Sequence, residues 1–366
     1  MKKIILAILL VLLCACGTSQ DIKKETISVS GVVSYIDTNG NVDIDISNTD
    51  FVNAGFNYGD SVYVELENGY ILEDIPFLSG MYVEYGKCIV YGKESKDKVS
   101  LIQKYKNFGE SCEVSEQLDY TIKLNESGKY SNIEKVGNLK YSDDFEYYND
   151  EAVFANFREV TAGDIKPGRL YRSASVIDNT ENRVNYTSKL ALDNRIKTII
   201  NVKDKQEDFD NLVSNLEGDS KTLIENSRVI NAPISTDYQS EKSNKIIIDG
   251  LSELVNNDYP YLIHCLEGKD RTGYTMAIIE ALCNATYQEI VDDYMITYDN
   301  YYGVNKQIDI DKYNYIKESN IDAMLRFITS SDDLDNVNYQ EAAIKFLKNY
   351  GMSEENLQAL IDRLCK

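Results

Sequence analysis

The stretch 261–273 reads YLIHCLEGKDRTG. An apolar run ends at Cys265, five residues separate this cysteine from Arg271, and Thr272 opens a strongly apolar segment. This order predicts a buried strand, a loop that can wrap a phosphate group and the N-terminus of a helix. Gly268 allows the backbone of the loop to turn without an intruding Cβ. We therefore expect an anion-binding loop over residues 265–271.

Around this loop, strand-like and helix-like segments alternate. This pattern predicts an α/β fold in which helices flank a central, mostly parallel sheet. Strands are expected at 196–202 and 228–233, helices at 242–255 and 272–282, and further helices at the end of the chain. Thr286 and Glu289 have the spacing of a capping box. The predicted domain covers residues 144–366, with its start near Asp144 in an acidic stretch that has few apolar residues.

Residues 27–143 show a different pattern, with apolar and polar residues alternating between turn signals. Asn39-Gly40 and Asn68-Gly69 are typical of tight hairpins, and one strand is expected over 82–90. The pattern predicts a small all-β barrel or sandwich, which we interpret as an accessory domain. Part of it, 56–64 followed by Asp74-Ile75-Pro76, resembles the small β-domain at the end of bacterial SAM hydroxide adenosyltransferases. That resemblance implies a fold only.

The first residues have the features of an export signal. Two lysines precede an apolar run over 4–13, which is too short to span a bilayer comfortably. Leu13-Cys14-Ala15-Cys16 resembles the lipobox of bacterial lipoproteins. The resemblance implies a signal peptide over 1–16, a lipid-modified Cys16, a polar linker over 17–26 and a lipid-anchored protein on the outer face of the cell membrane.

The charge balance limits the partners of the chain. Asp and Glu number 60 against 38 Lys and Arg, a formal net charge of −22. An acidic body of this kind repels nucleic acid, so no nucleic-acid partner is expected, and any anionic ligand needs a small local positive site. Lys269 and Arg271 supply such a site. The chain has a single histidine, which argues against a histidine-rich zinc centre, and we expect neither a metal nor a cofactor.

Five cysteines remain after the two in the predicted signal region. Cys88 and Cys112 fall in the same predicted domain and could form a disulfide, although sequence does not fix connectivity. Cys283 is expected to be a buried helix residue. Cys265 is the thiol to which we assign chemistry.

Cleavage of a phosphate monoester through a covalent intermediate needs a nucleophile, a cradle for the phosphoryl oxygens and a proton donor. Cys265 is the expected nucleophile, because a helix N-terminus, loop amides and Arg271 all favour a thiolate over a thiol. The expected substrate-binding residues share positions in or directly after the loop: Leu266, Glu267, Gly268, Lys269 and Thr272.

A family resemblance rests on three motifs. The segment 264–273 resembles the H-C-x-x-G-K-D-R-T-G signature of bacterial atypical protein-tyrosine and lipid phosphatases. Asn156-Phe157-Arg158-Glu159 and the segment 168–173 resemble the N-F-R-D and G-x-L-x-R-S motifs of that family. The resemblance covers about 144–366. Two departures lie outside the loop, where Glu159 replaces an aspartate and Val202-Lys203 replaces a leucine and an arginine.

The resemblance implies roles for individual residues. Cys265 attacks phosphorus, Arg271 holds the phosphoryl oxygens, Asp270 is the general acid, and Thr272 hydrogen-bonds the cysteine sulfur. Asp237 is an alternative general acid, because related phosphatases place the acid on a separate loop before the cysteine. His264 is expected to support the loop through a hydrogen bond.

Three functions remain open from the sequence. The first is hydrolysis of phosphate monoesters through a phosphocysteine, with protein phosphotyrosine as the leading substrate. The second is hydrolysis of phosphoinositides or inositol phosphates, which the extra positive charge of Lys269 would suit. The third is an envelope lipoprotein that binds phosphorylated ligands without catalysis. The expected partners are a phosphorylated protein or a small phosphate ester, and the membrane through the lipid anchor.

Overall fold

The computed structural model describes residues 27–366. The predicted signal peptide, Cys16 and the linker over 17–26 lie outside the described residues. No helix within the described range is both long enough and apolar enough to cross a membrane.

The first part of the chain is a closed barrel of seven strands. Its strands are β1 Ser28–Ile36, β2 Val42–Ile44, β3 Ser61–Leu66, β4 Ile71–Leu78, β5 Cys88–Lys93, β6 Lys98–Gln103 and β7 Asp119–Glu126. Their order around the barrel is β1-β2-β6-β5-β4-β3-β7. The predicted hairpins are confirmed, since β1 pairs with β2 and β3 with β4 in antiparallel register. Of the two predicted forms, barrel or sandwich, the structure has the barrel.

The barrel encloses its own apolar core, in which four phenylalanine rings are fully buried: Phe51, Phe56, Phe77 and Phe108. The rings of Phe51 and Phe56 stack with centroids 4.2 Å apart. Two short helices, α1 Asn48–Asn53 and α2 Phe108–Ser111, carry two of these phenylalanines, Phe51 and Phe108. Alternating strand residues therefore supply only part of the core.

One expectation for the barrel was wrong in detail, and one strand was missed. The strand expected over 82–90 begins only at Cys88, and β6 has no counterpart among the expected strands. Four successive residues of β6 are buried, Val99 to Ile102, so this strand lacks the alternation that marks a half-exposed strand. Tyr82 and Tyr85 instead turn toward the second part of the chain. The Tyr82 carbonyl accepts a hydrogen bond of 2.6 Å from the hydroxyl of Tyr315.

The second part is built on a five-stranded sheet in the order β11-β10-β12-β9-β8. Its strands are β8 Arg158–Glu159, β9 Leu170–Ser173, β10 Thr198–Asn201, β11 Arg228–Asn231 and β12 Tyr261–His264. All neighbours pair in parallel except β8 and β9, which are antiparallel. The predicted mixed α/β architecture is confirmed, and β12 lies at the centre of the sheet.

Helices pack on both faces of this sheet. Neighbouring strand residues point to opposite faces, so Ile200 and Ile263 join one apolar cluster while Ile199 and Leu262 join the other. The helices after the barrel are α3 Ser131–Gly137, α4 Glu151–Phe154, α5 Val184–Asp193, α6 Gln206–Val213, α7 Gly218–Asn226, α8 Glu241–Leu254, α9 Asp270–Leu282, α10 Tyr287–Tyr302, α11 Ile310–Lys317, α12 Ala323–Thr329, α13 Tyr339–Asn349 and α14 Glu354–Leu364. The capping box at the start of α10 is present as predicted.

The cysteine expectations need correction. Cys283 and Cys365 form a disulfide with Cα atoms 5.3 Å apart and a sequence separation of 82, whereas Cys88 and Cys112 are free thiols. Cys283 follows the last residue of α9, and Cys365 follows α14 and forms an isolated bridge with Ile165. The pairing depends on how the C-terminal end of the chain packs, which spacing between cysteines does not reveal.

Candidate active site

The loop begins where the central strand ends. His264 is the last residue of β12, and Cys265, with 2% of its surface exposed, follows at the carboxyl edge of the sheet. The helix after the loop, α9, begins at Asp270 rather than at the predicted Thr272. Asp270 and Arg271 are therefore the first two residues of a buried helix, and the loop is shorter than expected. Cys265 lies close to the positive end of that helix.

The carbonyl oxygens of the loop are fixed by groups outside it. The Leu266 carbonyl accepts from the amide of Ser175 at 2.9 Å. The Glu267 carbonyl accepts from the hydroxyl of Tyr301 at 2.7 Å. The Gly268 carbonyl accepts from Arg172 Nη2 at 2.8 Å. These three acceptors are thus turned away from the space that the loop encloses.

Asn156 connects two of these positions. Its Nδ2 lies 3.1 Å from the Glu267 carbonyl, 3.3 Å from that of Gly268 and 3.2 Å from Oγ1 of Thr297. Asn156 is fully buried and adopts a positive φ of 46°. The asparagine of the Asn156-Phe157-Arg158-Glu159 motif therefore holds the loop rather than a ligand.

The amide groups of the loop are left without acceptors. Within residues 27–366, no protein oxygen accepts a hydrogen bond from an amide N–H of 266–272. Buried amides without acceptors are costly, and successive amides that wrap a loop at a helix N-terminus form a site for an anion. The side chain of Arg271 takes part in no ion pair of the described chain, so it is free to add a charged fork to this site.

Gly268 makes the loop geometry possible. Its φ is +67°, and a Cβ at this position would lie 2.3 Å from the carbonyl oxygen of Ser173. The obstructing atoms belong to the backbone of β9, which cannot move away without disturbing the sheet. Glycine is thus required here for both conformation and space.

A buried charged cluster supports the loop from below. Asp293 on α10 accepts from Arg158 Nε at 2.8 Å and pairs with Arg172, which is fully buried. Burial disfavours the carboxylate of Asp293, but the two arginines outweigh it and hold the pKa of Asp293 well below its usual range. Burial together with Asp293 raises the pKa of the neighbouring Glu280 well above its usual value. Within this pair a proton is therefore held more readily by Glu280 than by Asp293.

His264 directly precedes Cys265 and has 1% of its surface exposed. Its Nδ1 is 3.2 Å from the carbonyl oxygen of Cys265, so this nitrogen carries the proton and donates. Burial lowers the pKa of His264 to about 4. A neutral ring that donates to the Cys265 carbonyl has the geometry of the supporting role expected from the sequence.

Thr272 and Asp270 have side chains without partners. Thr272 is fully buried, and its Oγ1 forms no hydrogen bond within the described chain, including with the sulfur of Cys265. The carboxylate of Asp270 lines a cavity beside the loop together with Lys269. Their expected roles as a sulfur donor and as the general acid remain predictions.

Lys269 already has an ion-pair partner within the loop. Its Nζ lies 2.6 Å from Oε2 of Glu267 and 3.1 Å from the hydroxyl of Tyr302. Burial disfavours the ammonium, but Asp270 and Glu267 among other groups raise the pKa of Lys269 well above its ordinary value. Lys269 thus stays charged, and Glu267 is its ion-pair partner.

Asp237 lies on the loop between β11 and α8. Burial raises the pKa of Asp237, and its Oδ1 accepts from the amide of Gln239 at 3.0 Å. A raised pKa suits a proton donor. Burial raises the pKa of Tyr105, a residue of the barrel part of the chain, and the negative charges of Asp270 and Asp237 raise it further. Both candidate acids therefore lie near this tyrosine.

The two departures from the family motifs have structural contacts. Glu159 Oε1 accepts from the amide of Gly168 at 2.5 Å, which links the two ends of the connection between β8 and β9. Lys203 pairs with Asp178 at 2.9 Å and with Asp204. Neither contact involves the residues of the loop.

Sequence reasoning missed several groups that build the site. Arg172 and Asn156 lay inside quoted motifs but were given no role, and Asp293 and Tyr301 on α10 were not singled out. The last two lie in a long, tyrosine-rich helix whose spacing carries no sign of a contact with the loop. Within residues 27–366, no group of three or more His, Cys, Asp or Glu side chains could hold a metal ion.

Comparison with known families gives a match to the second part of the chain. The model of the tyrosine phosphatase family matches residues 153–366, which is more than half of the chain. The chain therefore belongs to the tyrosine phosphatase family. No curated protein is similar enough to the chain to match it.

Several solved structures are distantly similar. An uncharacterized conserved protein from Thermotoga maritima is 20% identical, with a TM-score of 0.24, and the match covers 30% of this chain but only 42% of that one. The core catalytic domain of the PP-IP phosphatase SIW14 from S. cerevisiae is 20% identical, with a TM-score of 0.27 and coverage of 48% and 91%. P. aeruginosa TpbA in complex with pTyr is 16% identical, with a TM-score of 0.28 and coverage of 48% and 90%. Family membership rests on the family model.

Proposed function

We propose that this chain hydrolyses phosphate monoesters through a phosphocysteine intermediate. The observation that carries the proposal is the orientation of the loop: its carbonyls are bound from outside, and its amides surround a buried cysteine without acceptors of their own. An anion bound there would be held by these amides and by the guanidinium of Arg271. Electrostatic stabilisation of this kind acts on the charge that develops on the transferring phosphoryl group.

The reaction has two steps. In the first, the Cys265 sulfur attacks phosphorus, the bond from phosphorus to the ester oxygen breaks, and the leaving oxygen takes a proton. In the second, water attacks the phosphocysteine, inorganic phosphate is released and the thiolate is restored. Asp270 is the proposed proton donor in the first step and the base in the second, and the unpartnered hydroxyl of Thr272 is available to the sulfur as it leaves.

Protein phosphotyrosine is the leading candidate substrate. The cavity beside Asp270 has walls formed by tyrosine rings, which suits an aromatic leaving group: Tyr82, Tyr298, Tyr302 and Tyr315. Inositol phosphates and phosphoinositides are the second candidate, since lysine side chains also line this cavity. The alternative without catalysis is a module that only captures phosphorylated ligands.

The deciding experiment measures hydrolysis of an aryl phosphate, phosphotyrosine peptides and inositol phosphates without added metal. Wild type is compared with Cys265→Ser, and Cys88→Ser, which changes a free thiol in the barrel, is the matched control. We expect turnover by wild type and Cys88→Ser and none by Cys265→Ser. Binding of phosphate esters by all three proteins without turnover by any would favour the binding module and reject the enzyme.

The domain division and the location are proposals of the same kind. We propose an accessory barrel over 27–143, a catalytic domain over 144–366 and attachment to the outer face of the cell membrane through a lipid on Cys16. The support for attachment is the lipobox-like sequence before Cys16. Incorporation of labelled fatty acid into wild type but not into Cys16→Ser tests it, and equal labelling would reject it.

A further inference from the structure

A turn of the barrel lies against the candidate active site. After β6 the chain reverses over 104–106, and Gln103 forms an isolated bridge with Lys106. The hydroxyl of Tyr105 lies 2.9 Å from Oγ1 of Thr236, the residue before Asp237. The turn thus contacts the loop that carries one of the candidate acids, although it belongs to the other domain.

The same turn contributes to a cavity beside the phosphate loop. The cavity has a volume of about 200 Å³, and Lys269 and Asp270 line one side of it. Other lining residues come from the barrel part of the chain, namely Tyr82, Val83 and Lys104. Cys265 does not line this cavity, which meets the loop at Lys269 and Asp270. A substrate that extends past these two residues would therefore contact the barrel.

Lys104 is a cation without a counter-ion in this cavity. Its Nζ donates to the carbonyl of Val83 at 2.6 Å, and no carboxylate lies within ion-pair distance of it in the described chain. Burial lowers the pKa of Lys104, whereas the carboxylates of Asp270 and Glu84 act in the opposite direction. An ammonium carries three donors, and a half-buried ammonium is costly to leave unpaired.

Lys269 and Lys104 therefore differ in what they can offer a ligand. Lys269 is balanced by Glu267 at 2.6 Å, while Lys104 has only a neutral carbonyl as partner. The protein has a formal net charge of −22, so carboxylates are abundant, yet this lysine at the edge of an anion site has none as an ion-pair partner. This arrangement favours binding of an anionic group of a ligand. The anion would lie beyond the ester phosphate, on the barrel side of the cavity.

We propose that Lys104 of the barrel binds a second phosphate group of the substrate while the loop holds the phosphate that is cleaved. The proposal rests on the proposed function and adds a substrate class to it, namely small esters that carry at least two phosphates. It also makes the barrel part of the substrate site. Lys104 is a specificity residue and takes no part in bond breaking.

The competing explanation is that Lys104 only ties two barrel segments together through the Val83 carbonyl. In that case Lys104→Gln would weaken folding and affect all substrates alike. Lys104→Arg keeps the positive charge, and Lys106→Gln removes a charge from the same turn at an exposed position, so these two variants separate charge from structure. Thermal unfolding of each variant shows whether the barrel remains intact.

The experiment compares hydrolysis of p-nitrophenyl phosphate, inositol monophosphate and fructose monophosphate with that of inositol bisphosphate and fructose bisphosphate. For Lys104→Gln we expect KM for at least one bisphosphate to rise about 10-fold, the effect of losing one charge-assisted hydrogen bond, with kcat nearly unchanged. KM for the monophosphates should stay within about twofold, and Lys104→Arg should recover most of the loss. Lys106→Gln should behave as wild type.

The outcomes separate this inference from the proposed function. If wild type hydrolyses p-nitrophenyl phosphate and Lys104→Gln changes every substrate equally or none, the inference is wrong and the phosphatase proposal stands. If no substrate turns over, titration calorimetry on full-length Cys265→Ser decides, with the same bisphosphates and monophosphates as probes. If Cys265→Ser binds a bisphosphate more tightly than a monophosphate and the added Lys104→Gln change removes this difference, the inference is supported. If Lys104→Gln leaves the affinities unchanged, the inference is wrong.

Discussion

Arg172 joins the phosphate loop to the charged cluster below it. Its Nη2 donates to the Gly268 carbonyl at 2.8 Å, while its Nη1 pairs with Asp293. One fully buried guanidinium therefore fixes the loop and neutralises a buried carboxylate at the same time. The planar fork of arginine allows both contacts from a single position, which a point charge cannot reproduce.

Arg172→Lys is expected to lower both activity and stability. A lysine can reach Asp293 or the Gly268 carbonyl but not both, so one buried group loses its partner, at about 1–3 kcal/mol. We expect kcat to fall at least about 10-fold, because the loop loses a support. Urea unfolding and aryl phosphate turnover measure the two effects. Arg228→Lys, at an exposed arginine 3.6 Å from Glu253, is the control and should change neither.

Gly268→Ala is expected to abolish turnover. The new Cβ would lie 2.3 Å from a backbone oxygen of β9, so the loop or the sheet must shift. Gly303→Ala is the matched control, because Gly303 has a φ of +63° and nothing within 4 Å of the added Cβ. It should lose only about 1–2 kcal/mol of stability from the positive φ and keep its activity. Similar activities for both variants would contradict the steric argument.

Asp270→Asn and Asp237→Asn distinguish the two candidate acids. If Asp270 protonates the leaving oxygen, Asp270→Asn should lower kcat about 100-fold for phenyl phosphate and much less for p-nitrophenyl phosphate, whose leaving group needs little protonation. Asp237→Asn should then stay within about threefold on both substrates. Full turnover by Asp270→Asn together with a loss in Asp237→Asn would reverse the assignment in favour of the acid whose pKa is raised by burial.

Because His264 is buried and its pKa is lowered, we expect the folded protein to lose stability in weak acid. Burial lowers the pKa of His264 from an ordinary 6.5 to about 4. Between these two pH values the histidine is protonated in the unfolded chain but not in the native chain. The stability contributed by the neutral ring is complete above pH 6.5 and is lost as the pH falls through 4, a change of about 3 kcal/mol.

The chain has only one histidine, which makes this test simple. Urea unfolding of wild type and His264→Asn at a series of pH values between neutral and weakly acidic should show a steeper decline for wild type. The histidine signals in a proton NMR titration give the native pKa directly. Parallel stability curves for the two proteins would show that His264 does not carry the effect.

The sequence was sufficient for the parts of the site that are local. A strand ending at Cys265, a loop and a helix follow from residues that are neighbours in the chain, and so does the need for glycine at Gly268. The start of the helix was misplaced by two residues, because Asp270 and Arg271 have no apolar side chain to extend the pattern. The hairpin turns likewise predicted a small all-β barrel or sandwich, but not strand β6.

Contacts through space could not be predicted in the same way. Asp293 meets Arg158 and Arg172 because α10 packs beside the sheet, and no spacing in the sequence records that packing. The disulfide between Cys283 and Cys365 closes a sequence separation of 82 for the same reason. Strand β6 escaped notice because burial on both faces removes the alternation that reveals a strand.

The turn over 104–106 and the loop around Cys265 differ in how many substitutions they can tolerate. The loop around Cys265 is constrained from several sides by backbone and buried charges, so few substitutions there are tolerated. The barrel turn is held by the bridge between Gln103 and Lys106, and Lys104 is the residue of the turn that lines the cavity. If Lys104 binds the substrate as proposed, substitutions in the turn would change which esters are accepted and leave the loop around Cys265 unchanged.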